Sequence, residues 1–281
     1  MNRFIAGNTI KAAIMRSHQV MKSGKTPIIN YAVEYPKNEK QAAVIYNEYI
    51  NMSEQLDNKY KVAIKLSSLQ FNEDKIYDIV KLFTDKNIKV IVDAEEDKNN
   101  EIYHNITNNL LLDYNKETCN VIKTYQMYRK DALCTLKNEV NYFNKNKIVM
   151  GTKLVRGAYW NSEHEQGHLF TNKKETDESY NNGIIELFNN RDFNYKSENI
   201  IATHNINSMN FALKLNKYHY YRLSLFKFAH LMGMQEQKYD DITNLTSILV
   251  YIPYGPYLNM VPYLSRRLYE NLDTLKYVQY N

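Results

Sequence analysis

The sequence predicts a (β/α)8 barrel, and three observations carry that reading. Eight short apolar, β-rich runs recur along the 281 residues, stretches with helical spacing separate them, and a polar residue repeatedly closes a run. The runs are PIINYAV (27–33), YKVAIKL (60–66), IKVIVDAE (88–95), CNVIKTYQ (119–126), KIVMGTKLV (147–155), NIIATHN (199–205), YRLSLFKFA (221–229) and SILVYIPY (247–254). Between them lie segments such as KNEKQAAVIYNEYINMSEQL, NEDKIYDIVKLFTDKN, YRKDALCTLKNEVNYFNKN and SMNFALKLNKYHYY, whose apolar residues recur at three and four positions as on a helix face. A doubly wound open sheet is the alternative, because periodicity does not report closure.

The strand ends carry the functional signal. Glu34, Lys65, Asp93, Gln126, Lys153, His204, Asn205 and Tyr251 each lie at or near the end of an apolar run. In a barrel these ends converge on the face where barrel enzymes place their chemistry. Taken singly, each has a bland reading as a strand meeting water. Lys65 within VAIKL and Asp93 within VIVDAE are harder to dismiss, since an unpaired charge among buried residues is costly and both therefore need partners.

Composition narrows the class. With 44% hydrophobic residues, 8 glycines and 5 prolines, the chain can bury a large core and shows no linker or low-complexity tract. The net charge of +5 is dispersed, which argues against a nucleic-acid partner. Cys119 and Cys134 have neither metal nor disulfide spacing and are expected as reduced core thiols. No apolar run is long enough to span a bilayer.

After Gly255 and Pro256, the segment VPYLSRRLYENLDTL has helical spacing. Leu264, Leu268, Leu272 and Leu275 form an apolar stripe, while Tyr263, Arg266, Arg267 and Glu270 form a second face. Such a face is often solvated surface. Two guanidinium forks pointed at a barrel mouth could instead hold a substrate carboxylate.

KLVRGAYW (153–160), ATHN (202–205), LMGM (231–234), YIPYG (251–255) and YLSRRLYEN (263–271) resemble the signature blocks of proline dehydrogenases, in that family's order. RFIAGNT, IKLSSL, VDAEE and TYQMYRKDA extend the resemblance over nearly the whole chain. It implies one catalytic domain over residues 1–281, a distorted (β/α)8 barrel with the arginine helix over its mouth. It also implies noncovalent FAD, oxidation of L-proline to Δ1-pyrroline-5-carboxylate by hydride transfer from C5 to flavin N5, and ubiquinone or another membrane quinone as acceptor. No GxGxxG follows a strand, which fits this family and disfavours a Rossmann flavoprotein.

Carried over by position, the resemblance gives Asp93 and Lys153 to the catalytic centre. Lys65, Tyr251, Tyr263, Leu231, Arg266 and Arg267 go to the substrate, with Glu34 as a gate ion-paired to Arg266. Ala94, Gln126, Lys153, Arg156, Gly157, Ala158, Thr203 and His204 go to the cofactor. Lys153 replaces an arginine of many bacterial members, keeping the charge but losing the planar fork, and Asn30 and Val33 are atypical around Glu34. Tyr251 favours proline over hydroxyproline, whose oxidising relatives carry a smaller residue there.

The resemblance further implies peripheral association with the matrix side of the mitochondrial inner membrane, or with the cytoplasmic face of a bacterial inner membrane. The oligomeric state is left open. Two competing readings remain: a flavin barrel of the methylenetetrahydrofolate reductase type, and a remnant that binds ligand without flavin chemistry.

Overall fold

The structure is a computed structural model that describes residues 3–190, 196–217, 225–234 and 236–257. Its strands are β1 (Thr26–Tyr31), β2 (Lys61–Ile64), β3 (Lys89–Val92), β4 (Val121–Gln126), β5 (Gly151–Val155), β6 (Glu198–Ala202), β7 (Phe226–Leu231) and β8 (Ile248–Tyr254). They form a closed barrel in chain order, with β1 pairing parallel to both β2 and β8. The helices are α1 (Ile10–Lys22), α2 (Glu39–Gln55), α3 (Glu73–Thr84), α4 (Asn100–Tyr114), α5 (Ala132–Lys145), α6 (Trp160–Glu163), α7 (Lys173–Asn189), α8 (Ile206–Lys217) and α9 (Glu236–Asp240). The expected barrel is therefore found, and the open sheet is not.

Local chemistry explains these elements. Thr9, Asn38, Asn72 and Asn172 cap α1, α2, α3 and α7 by accepting a first-turn backbone N–H on the side chain, each cap worth about 1 kcal/mol. Helix α3 buries Ile76, Ile79, Val80 and Phe83, one face at helical spacing. Strands β2, β4 and β8 are buried at every residue, because one face fills the barrel and the other meets helices.

The expected strand limits shift where the backbone has other partners. Pairing in β5 starts at Gly151, because Lys147 adopts a φ of +59° and the next two N–H groups bond Phe143 and Asn115 carbonyls. A Cβ at Gly151 would lie 2.2 Å from the Val121 carbonyl oxygen, so β4 and β5 approach closely there. β7 ends two residues later than the expected 229, at Leu231.

Both cysteines are free as expected, but only Cys119 is a core thiol. Cys134 is exposed, since α5 buries Ala132, Leu136, Val140 and Phe143 and residue 134 lies off that stripe.

The chain divides into two compact units, Met1–Glu95 with His230–Asn281 and Glu96–Ala229. The first holds β1, β2, β3 and β8 with α1 to α3 and α9; the second holds β4 to β6 with α4 to α8. Among the described residues, no helix is long and apolar enough to cross a membrane.

Candidate active site

In the first unit, the two charges that demanded partners have them. Lys65 follows β2 directly and is 2% exposed, with its Nζ 3.3 Å from Glu34 Oε1. Asp93 follows β3, its N–H bonding the Ile64 carbonyl at 2.9 Å, and its Oδ1 accepts the Tyr251 hydroxyl at 3.1 Å. Tyr251 is buried in mid-β8, and its carbonyl accepts the Met232 N–H next to Leu231. Leu231 and Ala94 are half-buried at the ends of β7 and β3. Two polar pairs thus form in this unit, Lys65 with the half-buried Glu34 just past β2 and β1, and Asp93 just past β3 with Tyr251 in mid-β8 rather than at its end.

Glu95 adds a carboxylate that sequence reasoning left without a role. It is 1% exposed and accepts the Ser67 N–H at 2.9 Å and the Tyr35 hydroxyl at 3.4 Å. Burial raises its pKa and Glu34 adds to this, while Lys65 and the Ser67 N–H oppose them. VDAEE contains the signal, but not its partners, which stand 28 and 60 residues away.

In the second unit, strand alternation fixes which side chains point inward. Lys123 and Tyr125 of β4 reach Glu139 on α5, so Thr124 and Gln126 face the other way. Leu154 of β5 packs near Gly183 of α7, so Lys153, 4% exposed, also faces inward. Gln126 Oε1 accepts the Ala158 N–H at 3.0 Å, which joins two of the expected cofactor residues directly. Between them, Gly157 has a φ of +155°, and a Cβ there would lie 2.4 Å from the Tyr128 ring. Only glycine fits that turn. Tyr128 is held from behind by its hydroxyl bond to Glu163 at 2.7 Å, and Glu163 also accepts the Asp97 N–H at 2.7 Å.

Arg156 is engaged with the protein itself. Its Nε donates to Asp177 Oδ1 at 2.8 Å, its two terminal nitrogens reach Thr203, Ser208 and Asp177, and its plane lies 4.4 Å from the Tyr180 ring centroid. Three hydrogen bonds and the ion pair with Asp177 thus hold the guanidinium. Thr203 Oγ1 also accepts the Asn205 N–H, and the neighbouring His204 is half-buried. Asp177 and Tyr180 were not anticipated. The signal was present as TDESY, which places them three residues apart on one face of α7.

The second-unit set suits a cofactor with hydrogen-bonding edges and negative charge. The unit holds a fixed carboxamide at Gln126, a glycine turn at Gly157, the buried cation Lys153, and Arg156, whose charge is paired with Asp177. Tyr263, Arg266, Arg267 and the leucine stripe lie outside the described residues.

A sequence profile of the proline dehydrogenase family matches residues 13–279. The chain is 30% identical over 213 residues to proline dehydrogenase 1, mitochondrial, of Dictyostelium discoideum, covering 70% of this chain and 36% of that protein. It is 29% identical over 211 residues to the Caenorhabditis elegans protein of the same name, covering 71% and 34%. In structure it is similar to proline utilization A from Bdellovibrio bacteriovorus inactivated by N-propargylglycine, with a TM-score of 0.88 at 20% identity, covering 96% of this chain and 32% of that one. These matches span about a third of each relative's length. A profile match over residues 13–279, on a closed eight-stranded parallel barrel, means that the chain belongs to the proline dehydrogenase family.

Proposed function

We propose that this chain is a single proline dehydrogenase catalytic barrel that oxidises L-proline to Δ1-pyrroline-5-carboxylate and passes the electrons to ubiquinone or another membrane quinone. The observation that carries the reading is the buried Lys65–Glu34 and Asp93–Tyr251 pairing at the strand ends of a chain matched by the family over residues 13–279.

Lys65 would exchange its Glu34 contact for the proline carboxylate, with Arg266 and Arg267 completing the clamp and Glu34 turning to Arg266. Tyr251 would present its ring to proline while Asp93 fixes its hydroxyl, and Leu231 and Tyr263 would line the rest of the substrate site. Gln126, Ala158, Gly157, Lys153, Arg156, Thr203, His204 and Ala94 would hold noncovalent FAD. FAD bound there would supply the hydride acceptor, its N5 taking hydride from proline C5.

Loss of that hydride requires a neutral proline nitrogen, whose lone pair stabilises the developing iminium. The positive field of Lys65, Lys153, Arg266 and Arg267 favours the neutral amine while binding the carboxylate. The mitochondrial names of the relatives support a mitochondrial location, where the proposal puts the chain peripherally on the matrix side of the inner membrane, with the cytoplasmic face of a bacterial inner membrane as the alternative.

The test is direct: the purified protein should be yellow, and L-proline without oxygen should bleach its flavin band. A colourless folded protein, or a band bleached by NADPH and not by proline, would overturn the reading.

A further inference from the structure

Glu95 touches both segments that carry the Lys65–Glu34 pair. Its Oε1 accepts the N–H of Ser67, two residues past Lys65, and its Oε2 accepts the hydroxyl of Tyr35, one residue past Glu34. Neither segment is regular strand. Tyr35 has a φ of +48°, a left-handed backbone that a bulky aromatic residue keeps only when its surroundings impose it. Lys65 opens the 3₁₀ turn Leu66–Leu69, which ends in two residues of positive φ, Gln70 at +56° and Phe71 at +53°. The Lys65 carbonyl is itself tied down by the Ser68 N–H at 3.1 Å and the Ser68 hydroxyl at 2.6 Å. One buried carboxylate therefore bridges two strained turns, and each turn carries one half of the ion pair.

We propose that Glu95 is a positioning residue, whose two hydrogen bonds set the separation between the Lys65 ammonium and the Glu34 carboxylate. A glutamate that served only to fill the core would have no need to grip these two turns. Glu95→Ala removes both bonds, Glu95→Gln keeps an acceptor for Ser67, and Tyr35→Phe removes one arm alone.

Two measurements test this: backbone hydrogen exchange over residues 32–37 and 66–71, and L-proline kinetics of the FAD-loaded protein. Only the second rests on the proposed function. Glu95→Ala should speed exchange in both segments about tenfold while leaving β4 to β6 unchanged, the size expected for losing a charge-assisted hydrogen bond. It should raise the KM for L-proline about tenfold with kcat altered less than about threefold, and Glu95→Gln should restore most of both.

Tyr35→Phe should loosen residues 32–37 alone. Wild-type exchange in both segments of Glu95→Ala, or a uniform loosening of the whole first unit, would overturn the proposal. Should Glu95→Ala fail to fold, wild-type exchange at 32–37 in Tyr35→Phe overturns it and selective loosening supports it. A wild-type protein inert toward L-proline would sink the functional reading and leave the exchange result to decide this one.

Discussion

Among the described residues, one lysine–glutamate pair in each unit has its lysine buried, Lys123 with Glu139 and Lys65 with Glu34, and the two are built differently. Lys123 on the outer face of β4 is fully buried, 2.8 Å from Glu139 and 2.6 Å from Asn108 Oδ1, with its ammonium 5.4 Å from the Tyr125 ring centroid. Glu139 in turn receives the Tyr125 hydroxyl at 2.5 Å and lies 3.2 Å from His104 Nδ1. Lys65 stands 3.3 Å from Glu34, a longer contact than the 2.8 Å between Lys123 and Glu139, at a strand end where two turns are under backbone strain. The first pair is a short, multiply bonded network between a strand and two helices. The second is a longer contact, the one that the proposed function has exchanging partners. Burial and charge are alike in the two, so neither separates the structural pair from the one proposed to bind substrate. The length of the contacts and the strain around them do.

The largest effect expected from breaking this contrast is on stability. Lys123→Met leaves Glu139 in its pocket without its cation and should cost about 3–5 kcal/mol in chemical denaturation. It should leave the KM for L-proline unchanged. Lys65→Met should do the reverse, raising that KM about ten- to a hundredfold, as expected for a lost charge-assisted contact to a carboxylate of about 1.5–3 kcal/mol, and costing less stability than Lys123→Met. Equal stability losses and an unchanged KM at Lys65 would erase the distinction.

The pH dependence comes next in size. Burial alone would raise Glu139, but the hydrogen bond with His104, the Lys123 charge and the Tyr125 hydroxyl bring it down to about 2, against an ordinary 4.5. A folded-state pKa below the unfolded one contributes stability above pH 4.5 that is lost as pH falls toward 2. His104 adds to the acid loss, because burial lowers its pKa below the ordinary 6.5 and the folded state resists its proton. Burial also lowers Lys123 to about 8 from 10.5, so between those values stability should rise with pH. Denaturation midpoints measured from pH 7 down to pH 3 should fall steeply for the wild type and less steeply for Glu139→Gln.

Much of this was legible in the sequence, and the remainder has a common cause. Alternating runs located all eight strands, since burial on both faces forces continuous apolar character. Lys65 and Asp93 stood out because a charge inside such a run must be compensated. Their partners Glu34 and Tyr251 were named as separate residues, but which would meet which depends on barrel closure and strand register, and periodicity carries neither. Glu95, Asp177 and Glu163 were missed for the same reason, as each acts on segments brought near only by the fold. Tyr103 is the extreme case, its hydroxyl accepting the Thr124 N–H at 3.0 Å and donating to the Thr124 carbonyl at 2.8 Å. A tyrosine on a helix gives no hint that it will serve a strand backbone.

The smallest and sharpest test compares two phenols that donate to the two networks. Tyr125 gives its hydroxyl to Glu139 and Tyr251 gives its hydroxyl to Asp93 at 3.1 Å. Both rings are buried, so replacement by phenylalanine deletes one oxygen and little else. Tyr125→Phe takes a short, charge-assisted bond from a carboxylate that still has Lys123 and His104, and should cost about 1–2 kcal/mol of stability with no kinetic change. Tyr251→Phe should cost less stability, because in the proposed function the bond to Asp93 serves orientation and not folding. Its effect should fall on turnover, lowering kcat/KM for L-proline about three- to tenfold as the ring loses the group that fixes its angle. A kinetic effect at Tyr125, or none at Tyr251, would show that the two networks are not divided between stability and chemistry.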